Sequence, residues 1–255
     1  MVTKAQTQHQ AKPAAKPKTD FERWQDYVNS ATQHPDPWNG YDCDIQSAVI
    51  EYNRFLMGTA GYQPLDWQII KAMLWVETGA DSPKWSSNPI QIGNPGDPGL
   101  NTLLRGKEGS DLIVPPTIRT KLNAASVATV PAWNIRAGIG YLLTRMAKFS
   151  IQSVPDADTK VYDVTVKAGD SLDKIARAQG STLTELRALN PGASALKPGQ
   201  VIKYRKAAMQ QVITGWRPAT TQNVAVLYNV GDPSYARKLD YALTLIHNGK
   251  TAACK

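Results

Sequence analysis

Apolar residues recur every three or four positions in several stretches of the chain, which is the spacing of one face of an α-helix. The clearest run covers residues 66–79, with Ile70, Met73, Leu74 and Glu77 on the same face. Asp66 is a candidate N-cap for this helix, and a glycine follows its last turn. The same spacing predicts helices that start near residue 20 and that cover residues 44–56, 133–149 and 233–247.

A different pattern occupies residues 161–204. Alternation from Tyr162 to Val166 predicts a strand, and a short helix follows over residues 172–179. A capping box from Thr182 to Glu185 starts a second helix, and residues 201–204 form another short strand. The order strand, helix, helix, strand is typical of a small α+β module.

Two other segments lack helical or strand periodicity. Residues 1–20 are rich in Lys, Ala, Gln and Pro and are predicted to be a disordered basic tail. Residues 83–117 are dense in Pro, Gly, Asn and Ser, which predicts irregular loops. Loops of this kind often carry binding groups, so we expect part of a site there.

Composition narrows the class of protein. The chain has 255 residues, 42% of them hydrophobic and 20% charged, which is ordinary for a globular protein with a real core. No apolar run approaches the ~20 residues of a membrane span, and residues 1–18 lack the apolar core of a signal peptide. The net charge of +8 favours an acidic partner such as the anionic bacterial envelope. Nucleic acid is disfavoured because the basic residues are scattered and no nucleic-acid motif is present.

The cysteine and histidine residues indicate no metal or cofactor. Cys43 and Cys254 are not in a Cys-x-x-Cys pattern, and the three histidines are far apart in the sequence. One hypothesis is a disulfide between Cys43 and Cys254, formed in an oxidising compartment. The alternative is a pair of free thiols.

Glu77 is the candidate catalytic residue. Its carboxylate stands where the helical pattern requires an apolar side chain, so desolvation should favour the neutral acid. The negative end of the helix dipole acts in the same direction. A carboxylic acid that stays protonated near neutral pH can serve as a general acid. The competing interpretation is a buried Glu paired with a structural Arg or Lys.

Residues 161–204 resemble a LysM domain in the order of their elements, in the turn before Leu172 and in the Leu-Lys-Pro-Gly-Gln sequence before the last strand. The resemblance implies binding of glycans that contain N-acetylglucosamine, such as peptidoglycan and chitin. The groove of that family would here be lined by Gly169, Asp170, Ser171, Leu172, Asn190 and Pro191. Asp170 is equally well explained as a helix cap.

The remaining sequence resembles lytic transglycosylases and goose-type lysozymes. Glu77-Thr78-Gly79 is similar to the catalytic Glu and the small residues after it, and Ser87 followed by Gln91-Ile92-Gly93 is similar to the next family motif. Asn134-Ile135 matches the following helix. After the LysM-like segment, residues 224–233 resemble an Ala-Tyr-Asn-Ala-Gly motif through Tyr228 and Asn229.

Together the resemblances imply an α+β, mainly α fold, in which a lysozyme-like helical domain is interrupted by a small βααβ LysM module. The expected organisation is a tail over 1–20, a first catalytic part over 21–155, the LysM domain over 161–204 and a second catalytic part over 210–255. The alternative is that residues 207–255 form a separate helical appendage.

The implied reaction is cleavage of the bond between N-acetylmuramic acid and N-acetylglucosamine, with Glu77 as acid and then base. Ser87 would orient Glu77, and Gln91, Tyr228 and Asn229 would bind substrate. If Asp97 positioned a water, the enzyme would be a hydrolytic muramidase, although a turn aspartate is an alternative role for it.

A second class of function is a glycan-binding protein whose lysozyme-like part is inactive. For the enzyme, three routes to the cell wall are open: an injected antibacterial toxin, a phage lysin, or a protein whose export signal has been trimmed. By family analogy we favour the toxin, which acts in the periplasm of a target cell. Its partners would then include an immunity protein and a component of the secretion machine.

Overall fold

A computed structural model describes residues 16–94, residues 96–249 and Cys254. The fold is mainly helical and contains two small antiparallel sheets, which confirms the predicted α+β, mainly α class. Most of the predicted basic tail lies outside the described residues. In the described part of the chain, no helix is both long and apolar enough to cross a membrane.

Fourteen α-helices run through the described residues. In chain order they are α1 (Asp20–Val28), α2 (Ser30–Gln33), α3 (Pro35–Trp38), α4 (Asp42–Leu56), α5 (Trp67–Glu77), α6 (Pro98–Leu104), α7 (Ser110–Ile113), α8 (Pro116–Arg119), α9 (Ala124–Thr129), α10 (Pro131–Met146), α11 (Leu172–Ala178), α12 (Leu183–Leu189), α13 (Thr221–Tyr228) and α14 (Tyr235–Asn248). Short 3-10 turns cover Pro83–Ser86 and Lys107–Gly109.

Within the described residues, four strands form two separate antiparallel pairs. Strands β1 (Ala147–Pro155) and β4 (Ala207–Trp216) make a long ribbon, and β2 (Tyr162–Thr165) pairs with β3 (Val201–Tyr204). The inserted module, residues 161–204, sits at the far end of the ribbon. The rest of the described chain is called the body.

The ribbon corrects the prediction of a helix over 133–149. Helix α10 ends at Met146, and Ala147 already has the extended φ of −66° and ψ of 147°. Pairing runs from Ala147 with Trp216 to Pro155 with Ala207 and satisfies the backbone groups on the facing edge of each strand. The sequence hides this arrangement because each strand finds its partner about sixty positions away.

The expectation of irregular loops over 83–117 was also wrong in part. Four short helical segments, α6, α7 and two 3-10 turns, lie within this range, and α8 begins at its end. Proline and Asp start some of them: Asp97 caps α6, and Pro98 and Pro116 occupy first-turn positions. A proline fits the first turn of a helix because its missing N–H has no helical partner there.

Helices from both sides of the insertion share one hydrophobic core. Ile70 and Met73 of α5 are fully buried in the same cluster as Leu239 and Ala242 of α14. Helix α13 packs between α10 and α14. Residues 221–249 are therefore an integral part of the body and not a separate appendage.

A disulfide joins Cys43, at the start of α4, to Cys254. The two residues are 211 positions apart, so the crosslink connects the region near the chain's C-terminus to an early helix of the body. The alternative of two free thiols does not hold in this structure.

Candidate active site

Glu77 is the last residue of α5, and the predicted helix signals are all present. The side chain of Asp66 accepts a hydrogen bond from the backbone of Gln68 at the start of the helix. At the other end, Gly79 has a φ of 74° and donates its N–H to Leu74. A Cβ at Gly79 would lie 2.3 Å from the hydroxyl of Tyr27, so only glycine fits there.

The carboxylate of Glu77 is held by two neutral donors. The hydroxyl of Tyr235 donates to Oε1 at 2.7 Å, and the side-chain amide of Asn229 donates to the same oxygen at 3.4 Å. Oε2 has no hydrogen-bond partner among the described residues. The competing interpretation, a Glu paired with a structural Arg or Lys, therefore does not describe Glu77.

Burial raises the pKa of Glu77 above its ordinary value. The hydrogen bonds from Tyr235 and Asn229 lower it in part, and the nearby charge of Asp232 raises it again. Lys238 is close but forms an ion pair with Asp232 at 2.7 Å. The neutral acid is thus the favoured form of Glu77 over a wider pH range than for an exposed glutamate.

The buried carboxylate that does pair with a lysine is Asp42. Lys71, on the same helix as Glu77, lies 2.7 Å from Asp42, and both side chains are almost fully buried. Burial lowers the pKa of Lys71, and the contact with Asp42 opposes that effect. This structural ion pair and the unpaired acid of Glu77 differ in both partner and surroundings.

Glu77 faces a cavity of about 350 Å³. It is called the catalytic cavity below, after the role that the sequence predicts for Glu77. Its lining comes from four separated stretches of the chain. They are Glu77, then Gln91, Ile92, Asn94, Gly96 and Asp97, then Tyr141, and then Tyr228 and Asn229. The structure therefore brings five of the six predicted site residues of the body to one place.

Gln91 is hydrogen-bonded to the C-terminal end of α5, at Glu77. Its side-chain amide donates to the backbone carbonyl of Glu77, and its Oε1 accepts from Lys84 at 3.4 Å. The backbone of Gln91 has a φ of 55°, a left-handed conformation that is uncommon for a residue with a Cβ. Such strain persists only where neighbouring contacts hold it, and it is concentrated at functional sites.

Asn134 on α10 supplies those contacts. It is fully buried, and its Oδ1 accepts from the N–H of Ile90 at 3.0 Å. Its amide donates to Asn88 at 2.7 Å and to the carbonyls of Ile92 and Val127. The turn that carries Gln91 is thus fixed to α10 by one side chain, a role that the sequence alone did not assign to Asn134.

Tyr228 lines the catalytic cavity, but its hydroxyl already has a partner. It donates to the carbonyl of Ile90 at 2.9 Å, and its ring meets Tyr141 edge-on at 5.7 Å. Burial raises the pKa of Tyr228 well above its ordinary value. Tyr228 therefore presents its ring to the cavity, while Asn229 presents an amide that also contacts Glu77.

Asp97, the candidate second carboxylate, lies in the same cavity and acts as a helix cap. Its Oδ1 accepts from the N–H of Gly99 at 2.7 Å, and its Oδ2 accepts from the N–H of Gly93 at 2.7 Å. Each oxygen is committed to a backbone amide. The turn-aspartate role is therefore present in the structure.

Ser87 is the predicted site residue that does not line the cavity. It ends the 3-10 turn, and Glu77 takes its side-chain hydrogen bonds from Tyr235 and Asn229 instead. Trp85, in the same 3-10 turn, packs against Trp38 and Tyr41.

Tyr235 is the site residue that sequence reasoning missed. The sequence places it only in the helix predicted over 233–247. In the structure it is 1% exposed, and its hydroxyl donates to Glu77, 158 positions earlier in the chain. Burial and the negative charge of Glu77 raise the pKa of its hydroxyl well above the ordinary value. No local signal in the sequence marks it, because a tyrosine at a helix start resembles any core aromatic.

In the inserted module, Asp170 and Ser171 both shape the turn before α11. Asp170 accepts from the N–H of Lys167 at 2.7 Å, and Ser171 caps α11 by accepting from the N–H of Lys174. Gly169 has a φ of 82°, is exposed and receives a hydrogen bond from the Lys174 side chain on its carbonyl. These polar side chains therefore hold the loop in place.

The second predicted glycan loop follows α12. Asn190 uses its side chain to clamp this loop onto β3, with its Oδ1 accepting from the N–H of Lys203 at 2.9 Å. Its amide donates to the carbonyls of Lys203 and Leu186. Pro191 is exposed, and Leu172 packs partly into the module core around Ile175.

The module is fixed to the ribbon by several hydrogen bonds. The N–H of Ala207 donates to the carbonyl of Gly180 at 3.1 Å, and the hydroxyl of Ser181 donates to the carbonyl of Arg205 at 2.6 Å. The hydroxyls of Ser153 and Thr182 also meet. The module is consequently packed on the end of the ribbon.

A sequence model of the LysM domain matches residues 164–204. No curated protein and no solved structure matches the chain. The matched residues include both predicted glycan loops and exclude Glu77 and its surroundings. Residues 164–204 therefore form a LysM domain, which indicates that the chain binds peptidoglycan or a related glycan.

Proposed function

We propose that the chain cleaves the glycan strands of peptidoglycan between N-acetylmuramic acid and N-acetylglucosamine. The observation that carries the proposal is the carboxyl group of Glu77, which lies in a cavity, has a raised pKa and receives only neutral hydrogen-bond donors. The LysM domain adds a glycan-binding unit to the same chain. A carboxylic acid whose pKa is raised by burial is suited to protonate a glycosidic oxygen.

In the first step, Glu77 transfers its proton to the glycosidic oxygen, and the bond to the muramoyl C1 breaks. Oε2 is the oxygen free to do this, because Oε1 accepts from Tyr235 and Asn229. The carboxylate that forms is stabilised by the same two donors. The cavity therefore supports both protonation states of the acid.

In the second step, the carboxylate of Glu77 removes the proton from the C6 hydroxyl of the muramoyl unit, and that oxygen bonds to C1. The product is a 1,6-anhydromuramoyl end, and Glu77 is neutral again. This route needs one carboxylate. It is favoured over a hydrolytic route through Asp97, whose two oxygens already accept backbone N–H groups.

Mass spectrometry of the fragments released from purified sacculi tests the proposal. We expect anhydromuropeptides from the unmodified chain and a loss of release on the order of 10³-fold for Glu77→Gln. Glu51→Gln is the matched control, because Glu51 pairs with Arg136 at 3.0 Å outside the cavity.

The products distinguish the alternatives. Reducing-end muramic acid fragments that disappear in Asp97→Asn would instead establish a hydrolytic muramidase. An unmodified chain that binds sacculi and releases no fragments would make it a non-catalytic glycan-binding protein.

We further propose that the chain acts in the periplasm as an antibacterial toxin, with an immunity protein that blocks the catalytic cavity. The disulfide between Cys43 and Cys254 supports an oxidising compartment. Expression with a periplasmic export signal should be more toxic to the host than cytoplasmic expression. Equal toxicity in the two compartments would argue against this site of action.

A further inference from the structure

A second polar cavity, also of about 350 Å³, lies at the base of the ribbon. It is called the ribbon-base cavity here. Its walls come from helices of the body and from both strands of the ribbon. The lining residues used below are Glu108, Arg145, Phe149, Gln211, Arg217 and Leu227.

The ribbon-base cavity and the catalytic cavity share two helices, α10 and α13. On α10, Tyr141 lines the catalytic cavity, and Arg145, one helical turn later, lines the ribbon-base cavity. On α13, Leu227 lines the ribbon-base cavity, and the next residue, Tyr228, lines the catalytic cavity. Each of the two helices therefore contributes residues to both cavities. Along α10, the chain runs from the catalytic cavity to the ribbon that carries the inserted module.

The polar groups of the ribbon-base cavity carry both signs of charge and remain accessible. Arg145 pairs with Glu108 at 3.2 Å, and both side chains are about half exposed. The guanidinium of Arg217 donates to the carbonyl of Arg145 at 2.9 Å. Gln211 is exposed on β4 and adds an uncharged amide. Donors and acceptors of this mixture suit hydroxyl and acetamido groups better than a purely anionic ligand.

An aromatic ring completes the ribbon-base cavity. Phe149 of β1 is half buried, and its ring lies against Gly109, where a Cβ would come within 2.5 Å of it. The flat apolar surface of a sugar can pack on an aromatic ring of this kind. The neighbouring Glu108 has a φ of 55°, and among residues 16–94 and 96–249 only Gln91 is another non-glycine residue with positive φ. Each of the two cavities thus contains one strained residue.

We propose that the ribbon-base cavity binds a further N-acetylhexosamine unit of the same glycan strand that enters the catalytic cavity. The strand would then run from Glu77 along α10 to the ribbon that carries the LysM domain. This inference rests on the proposed function. Because Phe149 and Gln211 belong to the ribbon strands, the insertion that carries the LysM domain also builds this subsite.

Binding to the full chain carrying Glu77→Gln tests the subsite without cleavage. The probes are a peptide-free disaccharide and a peptide-free octasaccharide of alternating N-acetylglucosamine and N-acetylmuramic acid, measured by calorimetry. Gln211→Ala should weaken octasaccharide binding about five-fold, the effect of one lost hydrogen bond, and leave disaccharide binding unchanged. Gln210→Ala is the matched control, since it is the adjacent exposed glutamine on the opposite face of β4.

The LysM domain contributes equally to the octasaccharide affinity of every variant, so its contribution cancels when two variants are compared. Equal octasaccharide affinities for Gln211→Ala and Gln210→Ala would overturn the subsite, as would an equal loss for both probes. Failure of the proposed function would be seen in a separate measurement, the release of fragments from sacculi. A length-dependent loss in Gln211→Ala, together with no fragment release by the chain with Glu77 intact, would keep the subsite and remove catalysis.

Discussion

The inserted module builds its core from one stretch, residues 161–204, whereas the catalytic cavity draws on residues from α5 to α13 and a hydrogen bond from α14. In the module, Val166, Ile175 and Leu186 pack together, and each helix is capped by a residue next to it. In the cavity, Glu77 meets Tyr235 from 158 positions away. The module is locally determined, and the cavity depends on long-range packing of the body.

A family model matches residues 164–204 of the module. A contiguous module keeps its turn and cap residues at fixed spacings, so the pattern is visible in the sequence. The cavity needs only that a few polar side chains meet after folding, and their spacing is interrupted by the insertion. Variants that act on one region and spare the other can break or sharpen this comparison.

The largest expected effect is a loss of stability that is confined to the body. Replacing both Cys43 and Cys254 by Ser removes a crosslink between residues 211 positions apart. Loop-closure entropy predicts a loss of up to about 5 kcal/mol in the free energy of unfolding of the body. Chemical denaturation of the double variant, followed by tryptophan fluorescence, measures it, because all seven tryptophans lie outside the module.

The module provides the internal control for that experiment, since the crosslink joins two residues outside it. Hydrogen exchange of the β2 and β3 amides should not change in the double variant. Full thiol labelling of the unreduced, unfolded chain would show that the disulfide does not form, and would remove the prediction.

The next largest effect is expected for Asn134→Ala. The substitution leaves the N–H of Ile90 and the Oδ1 of Asn88 without their Asn134 partner in a buried site. Unpaired buried polar groups of this kind predict a loss of about 3 kcal/mol in unfolding free energy. Glycan cleavage should fall as well, because the turn that carries Gln91 loses its attachment to α10.

Asn101→Ala is the control for Asn134, because its side chain is exposed on α6. Both measurements use the intact chain, with denaturation for stability and fragment release for activity. Equal stability of the two variants would show that the buried amide network contributes nothing to the body.

Much of the fold can be predicted from the sequence, because single segments of the chain determine it. The α5 boundaries follow from Asp66 and Gly79, and the module follows from its alternating strand and its capped helices. The ribbon was missed because neither strand has a local signal for a partner about sixty positions away. At the site, Glu77 was detectable as a charge on an apolar face, but Tyr235 was not, since a tyrosine at a helix start looks like any core aromatic.

A smaller effect is expected for Tyr235→Phe, and it concerns pH dependence. Burial raises the pKa of Glu77, and the hydrogen bond from Tyr235 lowers it, so removing the hydroxyl should raise that pKa further. The protonated acid then persists to higher pH, and the alkaline limb of the pH–rate profile should move upward. The maximal rate should fall about ten-fold, because the carboxylate intermediate loses a donor.

Tyr241→Phe is the matched control on the same helix, because the Tyr241 hydroxyl donates to Asn29 at 2.9 Å, away from the cavity. Fragment release from sacculi over a range of pH gives both profiles. A downward shift of the alkaline limb in Tyr235→Phe would mean that the hydroxyl does not act on Glu77 as a donor.

The smallest effect is expected for Asn190→Ala, the counterpart of Asn134 in the module. Both asparagines clamp a loop onto a neighbouring element, but Asn190 is only partly buried, so water can replace its bonds to Lys203. The expected loss is about 1 kcal/mol and is confined to the module. Amide exchange should accelerate in β2 and β3 and stay unchanged in α5. If α5 amides exchanged faster as well, the module and the body would form one cooperative unit, and the contrast between a local module and a long-range cavity would no longer extend to their stability.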